Sequence, residues 1–590
     1  MHYTDSKLWR TVLPFSLLLL LLLAGANTTF AENVTLRGHL SPFPGPNRYA
    51  DVWGEGNYAY LASYNGTGIM IIDITNPATP VLAGHYNPTS AEGGRFQDVV
   101  VIKGIGYFGS ESGGGVHIVD VRQPASPVLL SQIGPSINGF SLVHELAVAD
   151  GLLYEADSRT TTVKVFDVTN PRAPVFVRNI ATTDTLFIHA ISVINGRLYT
   201  SGWSGRTDIW NIETVRTEPP VLLGVVESGD RSHSNWVSSD GRILVSARET
   251  INGDVRVFDI SNPALPILKS VITAQSLGIN TFSAHNPYLV GNLLFVSWYQ
   301  AGVLVIDISD PSNPKRVGSF DTFDEVAITG YQGNWGVFPF LGLDRVLLSD
   351  LDGGLYIVDA IAATPLPRTV SAASFEPGAI ASRAIVAAFG SDLTATTVLA
   401  AVLPLPTSLG STTVKVVDSR GNQRLAPLFF VSPAQINYQI PGGTAEGPAA
   451  IVIQGSTGKI STGVTIVRAA TPAIFTRTQT GSGAAAAIDG TTAEEAPFSA
   501  TSSTGMPNII AFFGTGLGED ATDVDGNFAS EIEATIDGLS AQTFYAGRAP
   551  GFAGLNQFNI GLLAGITSGT HSVVTKRNGI ASKPVTIQIR

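Results

Sequence analysis

The chain has 590 residues, of which 44% are hydrophobic and only 14% charged, with 62 Gly, 34 Pro and no Cys. That balance describes a turn-rich, all-β protein with several cores. The formal net charge of -12 argues against nucleic acid as a partner, since phosphate binding needs basic surface. The absence of Cys excludes thiolate metal sites, cysteine catalysis and a disulfide scaffold.

Residues 1–31 read as a secretory signal peptide. Lys7 and Arg10 precede the apolar run TVLPFSLLLLLLLAGA, and small residues at Ala24, Gly25, Ala26 or at Thr29, Phe30, Ala31 offer cleavage sites. The apolar run is short for a stable span, so no membrane span is expected after cleavage. Export without disulfides suits a secreted or surface protein of bacteria.

The segment after the signal, VTLRGHLSP from Val34, matches the fourth run of a repeat that then fills residues 48–363. In FQDVVVIKGIGYFGSESGGGVHIVDVRQPASPVLLSQI (96–133), four short runs rich in β-branched and aromatic residues are broken by Gly or Asn/Pro turns. This is the pattern of four antiparallel strands.

The third run recurs at Asp73, Asp120, Asp167, Asn211, Asp259, Asp307 and Asp359, spaced by about 47 residues. Seven such blocks predict a seven-bladed β-propeller over residues 32–363. The last block has no fourth run of its own, so residues 34–40 are expected to supply it and remove an open edge. Asp or Asn before the recurring NPxxP turns binds its own backbone, and these acids read as structural.

At the start of each block's first strand stand Asp51, Asp98, His144, His189, His233, His285 and Trp335, a ring expected at one mouth of the central channel. Four His there, in a chain with nine, fit a transition-metal site for Zn or Cu on His144, His189, His233 and His285. A ring of hydrogen-bonded caps is the competing reading. No cofactor follows from the sequence beyond this one.

Tyr64, Trp203, Trp298 and Tyr299 stand near the ends of second strands, beside loops of varied length, and mark that face as a binding surface. Other motifs fail. VHELAV has Val148 where a zinc helix needs its second His, and DATDVDGNF near Asp523 has Ala521 at the first calcium-ligand position.

The consensus seen in GVHIVDV and VLVIDISDPSNP resembles the LVIVD-repeat family of exported propellers. AHNPYLVGNLLFVSWYQAGVLVIDISDPSNP followed by GNWGVFPFLGLDRVLLSDLDGGLYIVD is similar to its choice-of-anchor B group. The resemblance implies secretion or surface display and carries no catalytic residue. Block four departs from it at Asn211.

Residues 364–368 form a linker, after which charge falls. IVAAFGSDL at Ile385 recurs as IIAFFGTGLG at Ile509, about 120 residues on, and short alternating strands predict two Ig-like β-sandwiches at 369–470 and 471–590. SAASFEPGAIASRAIVAAFG with PLFFVSPAQINYQIP resembles a C-terminal domain of exported Acidobacteria proteins such as those of Solibacter. The expected function is a non-catalytic binding or scaffold protein holding an extracellular glycan, peptide or protein on the propeller's loop face. The alternative is a metal-dependent enzyme or metal-binding protein using the His/Asp ring.

Overall fold

The computed structural model describes residues 34–590 apart from 46–47, 67, 89–94, 113, 135–141, 158, 280, 282, 324–329, 362–366, 377 and 520–526. The signal segment, most of the linker and the Asp523 motif lie outside the described residues. Among those described there is no α-helix, and no helix is long and apolar enough to cross a membrane.

The chain divides into two compact units, one spanning Phe30–Thr364 and the other holding Pro365–Arg590. The first is a β-propeller built, among the described residues, from seven four-stranded antiparallel sheets. Six are formed by consecutive strands. In the seventh, strand Thr35–Leu40 pairs antiparallel with Gly354–Asp359, so the start of the unit completes its last sheet.

Each sheet's first strand lies innermost. These strands are Tyr49–Glu55, Phe96–Ile102, Glu145–Ala149, Ile188–Ile194, Ser232–Val237, Pro287–Val290 and Asn334–Phe338. Each touches the first strand of the next sheet, and the last touches the first, so the array closes. Apolar clusters fill the gaps between neighbouring sheets. One joins Tyr60, Ile69 and Ile71 to Val99, Val101 and Phe108, which is what strands buried on both faces require.

The turn after each third strand repeats one piece of chemistry. The side-chain oxygens of Asp73, Asp120, Asp167, Asn211, Asp259, Asp307 and Asp359 accept the backbone N–H two residues on, at 2.8–3.1 Å. In four turns the next Asn or Asp does the same, as Asn76 does for Ala78 at 3.2 Å. Block four keeps this geometry because the Asn211 amide oxygen accepts as well as a carboxylate does.

The second unit contains two pairs of five-stranded sheets. In one pair, Ile385–Phe389 and Gln435–Gln439 face Thr413–Val417 and Gly447–Gln454 across a core holding Val386, Ile436, Tyr438, Val414 and Ile451. In the other, Ile509–Thr515 and Asn556–Gly561 face Glu533–Ile536 and Gly569–Arg577 across Phe512, Phe558, Ile536 and Val573. The matched segments at Ile385 and Ile509 pair with equivalent partners in the two halves.

Candidate functional site

A β-bulge opens the inner strands. Pairing skips one residue between Phe96 and Asp98, Ile188 and Ala190, Ser232 and Ser234, and Asn334 and Gly336, leaving Gln97, His189, His233 and Trp335 as the extra residues. A bulge bends its strand and re-aims the unpaired side chain. His144 and His285 stand at the same point, each donating its backbone N–H to the end of the second strand, at Ala156 and Ser297.

The histidines therefore form an arc. Ring centroids are 4.1 Å apart for His144 and His189, 3.9 Å for His189 and His233, and 4.3 Å for His233 and His285. Trp335 continues it, 4.6 Å from His285.

Asp51 and Asp98 do not share this layer. The register sets them one residue further along, level with Glu145, which sequence alignment missed. Asp51 hydrogen-bonds Asp98, and Asp98 accepts the N–H of Leu146 in the next sheet at 2.5 Å. Asp51 and Glu145 accept from Val99 and Ile191 in the same way, so the three acids clamp successive sheets together. Burial pushes the Asp98 carboxyl up to about 6 and holds Asp51 and Glu145 well above the usual carboxylate range. These acids border a cavity of about 120 Å³ together with His144, His233 and His285.

Above the histidines lies a further layer, from the residue one place past the second strand, or two places past it in the sixth sheet. Tyr64, Glu111, Trp203, Glu249 and Tyr299 occupy this repeat position. Glu111 accepts from His144 Nδ1 and pairs with Arg95 at 3.0 Å. Glu249 stands 3.7 Å from His233 Nε2 and 3.9 Å from His285 Nε2, and its Oε1 accepts the Tyr299 hydroxyl at 2.5 Å. Neither Glu was foreseen. The signal was available, because both hold the position that Tyr64 and Trp203 hold in other blocks.

Three imidazoles have a fixed orientation. Nδ1 of His189 donates to the His233 carbonyl at 3.1 Å, Nδ1 of His285 donates to the Trp335 carbonyl at 2.6 Å, and Nδ1 of His144 meets Glu111. A carbonyl can only accept, so these contacts leave Nε2 of His189 and His285 as the lone-pair nitrogen. Burial holds His189 and His233 well below the ordinary imidazole range and His285 down to about 3, so all three are neutral at pH 7. Burial also raises Glu249.

The aromatics divide. Trp203 is half-buried and stacks on His189 at 5.1 Å and Phe187 at 5.2 Å, both at 20°, with Arg231 over its ring at 5.9 Å. Tyr64 lies 5.5 Å from Trp335 and carries Arg95 over its ring at 4.4 Å. Tyr299 is buried beneath the mouth, 5.2 Å from the more exposed Tyr331.

Trp298 is not a face residue. It is 0% exposed and packs with Val245, Val257, Leu294 and Leu304 between the fifth and sixth sheets. It is the residue before the mouth layer, so its side chain turns into the sheet-to-sheet core while Tyr299, at φ 38°, turns to the channel.

With this geometry the chain is a propeller whose inner mouth is lined by His, Glu and aromatic side chains. Its sequence carries LVIVD repeats, a β-propeller type of repeat, at residues 48–88, 251–273 and 283–322. No curated protein matches it. Among solved structures it is similar to the computationally designed Ika8 protein, with 14% identity over 53% of this chain and 96% of that one, at a TM-score of 0.39. It is likewise similar to U3-55K, with 11% identity over 56% and 99%, at a TM-score of 0.40.

Proposed function

We propose that the chain is an exported seven-bladed propeller of the choice-of-anchor B type, followed by two Ig-like modules like those of exported Acidobacteria proteins. It works as a non-catalytic binding or scaffold protein of the bacterial surface or exterior, holding a glycan, peptide or protein at the channel mouth. The supporting observation is the half-buried pair of Phe187 and Trp203, stacked over the buried His189, with Arg231 above the Trp203 ring. A stacked aromatic face beside a guanidinium offers a flat apolar surface and charge-assisted donors to one ligand.

The test is a screen of immobilised extracellular glycans and peptides with the intact mature protein and with Trp203→Ala. A ligand retained by the first and lost by the second supports the reading. Retention that survives the substitution overturns it.

A further inference from the structure

We propose that the channel mouth is a transition-metal centre in which Nε2 of His233, Nε2 of His285 and the carboxylate of Glu249 hold one divalent ion. This goes beyond the binding of a glycan, peptide or protein and does not depend on it. Ligand atoms of these three side chains all lie within 4.8 Å of one another. The N···O separations of 3.7 and 3.9 Å compare with roughly 3.3–3.4 Å expected between ligands bound tetrahedrally at about 2.0–2.1 Å. The shorter distance is to Oε2 and the longer to Oε1, so closing on one ion draws ligand atoms together from separations of up to 4.8 Å, by side-chain shifts of up to about 1 Å.

Two further observations point the same way. Nε2 of His285 is buried and has no hydrogen-bond partner, although its other nitrogen is tied to the Trp335 carbonyl. An imidazole with Nδ1–H on a carbonyl and a bare Nε2 aimed into a buried site has the arrangement that metal-bound His adopts. Glu249 is oriented in its turn by the Tyr299 hydroxyl, which reaches Oε1 from below and leaves Oε2 toward His233.

Without an ion, the bare Nε2 of His285 faces the Glu249 carboxylate beside the His233 ring, an arrangement of buried acceptors that is costly to leave unpaired. An ion satisfies all three at once. Two imidazoles and one carboxylate suit Zn, Cu or Fe, and leave a coordination position open for water or a ligand oxygen.

The three ligands come from two adjacent sheets. His233 sits at the bulge within the first strand of the fifth sheet, Glu249 follows its second strand, and His285 precedes the first strand of the sixth, so the bulge and the turn that place them belong to the repeat itself. His144 and His189 form a second group with His233. The carboxylate beside that group, Glu111, is already engaged by Arg95 and by His144 Nδ1.

The experiment uses untagged mature protein, stripped with chelator, reloaded separately with Zn²⁺, Cu²⁺ or Co²⁺, dialysed and analysed for metal. Co²⁺ also reports its donors through visible absorption. The expected result is one equivalent of ion per chain, with affinity at least ~100-fold weaker in Glu249→Gln and His285→Ala, and about 10- to 100-fold weaker in Tyr299→Phe, which removes only the orienting hydroxyl. Glu249→Gln and Tyr299→Phe preserve shape, so unchanged circular dichroism and melting would separate a lost ligand from a lost fold. His571→Ala, in the other unit, should bind as the parent does.

The proposal is overturned if none of the three ions is retained stoichiometrically. It is also overturned if retention is undiminished in both Glu249→Gln and His285→Ala, including the case where only His144→Ala abolishes it. Glycan or peptide retention in the Trp203 screen is read independently of metal content.

Discussion

Gly38 lies against the backbone carbonyl of Pro77, so closely that a Cβ there would overlap the oxygen. The same contact links Gly84 to Pro124 and Gly224 to Pro263, outer strand of one sheet to turn of the next. Where the position is Ser, the hydroxyl donates to that carbonyl instead, Ser131 to Pro171 at 2.6 Å and Ser270 to Pro311 at 2.7 Å. Strand Thr35–Leu40 therefore does for the last and first sheets what each internal outer strand does for its neighbours.

Removing residues 32–42 should uncover the edge of Gly354–Asp359 and release the first sheet's turn. With roughly 1 kcal/mol for each backbone hydrogen bond lost, the propeller should lose on the order of 5 kcal/mol. Denaturant unfolding of the isolated unit and the truncated one measures this. Identical midpoints would show that the seam carries no load. Gly38→Val, which forces the Pro77 carbonyl away, should move stability in the same direction by about 1–3 kcal/mol.

The recurring turn acids allow a smaller, cleaner measurement. Asp307 accepts both the backbone N–H of Ser309 at 2.8 Å and its hydroxyl at 2.5 Å. Asp307→Ala should cost about 1 kcal/mol, while Asp307→Asn keeps an acceptor in place and should cost less. Asn211 already holds the equivalent turn with an amide oxygen at 3.0 Å, so equal losses for Ala and Asn would contradict the turn's role.

These turns were legible in sequence because Asp or Asn before Pro leaves the backbone few options, and the repeat spacing then orders the sheets. The mouth was legible only in part. A bulge adds one residue to a strand without changing the character of the run, so Asp51 and Asp98 aligned with the histidines although they stand one layer on. Trp298 and Tyr299 are neighbours in an apolar stretch, and nothing in their types says which turns inward. Glu111 and Glu249 went unnoticed because their repeat position is aromatic in Tyr64, Trp203 and Tyr299, and an alignment by residue type hides the equivalence.

Glu155 makes stability depend on pH in a direction that can be checked. Its side chain is 0% exposed, neither carboxylate oxygen has a hydrogen-bond partner, and Lys164 Nζ is 3.8 Å away. Burial outweighs the attraction of Lys164 and pushes the carboxyl up from about 4.5 to about 8. The folded chain thus keeps a proton that the unfolded chain releases between those values, so folding stability falls as pH rises from 4.5 to 8. Glu155→Gln removes that slope. Losing the Glu155–Lys164 pair adds an offset that is constant across the window, so the observable is the change in the difference between variant and parent. From pH 5 to pH 8 it should move in the variant's favour by a few kcal/mol in denaturant titrations. Parallel curves would mean that Glu155 is ionised and paired with Lys164 in the folded chain.

The two tryptophans test the division between core and mouth. Trp298 is enclosed by apolar side chains from two sheets, so Trp298→Ala leaves a cavity and should cost about 3–5 kcal/mol. Its Nε1 has no hydrogen-bond partner, so Trp298→Phe, which removes that atom and keeps most of the apolar contact, should cost clearly less. Trp203 presents part of its ring to solvent and rests on Phe187 and His189, so Trp203→Ala should cost about 1 kcal/mol in stability. Any ligand held at the mouth should nevertheless be lost. Unfolding curves for the three variants, read beside a binding assay, set the prediction: a large stability loss with binding kept in the folded fraction for Trp298, and the reverse for Trp203. If Trp203→Ala unfolds the propeller as readily as Trp298→Ala does, the platform is part of the core and the mouth has no aromatic surface to offer.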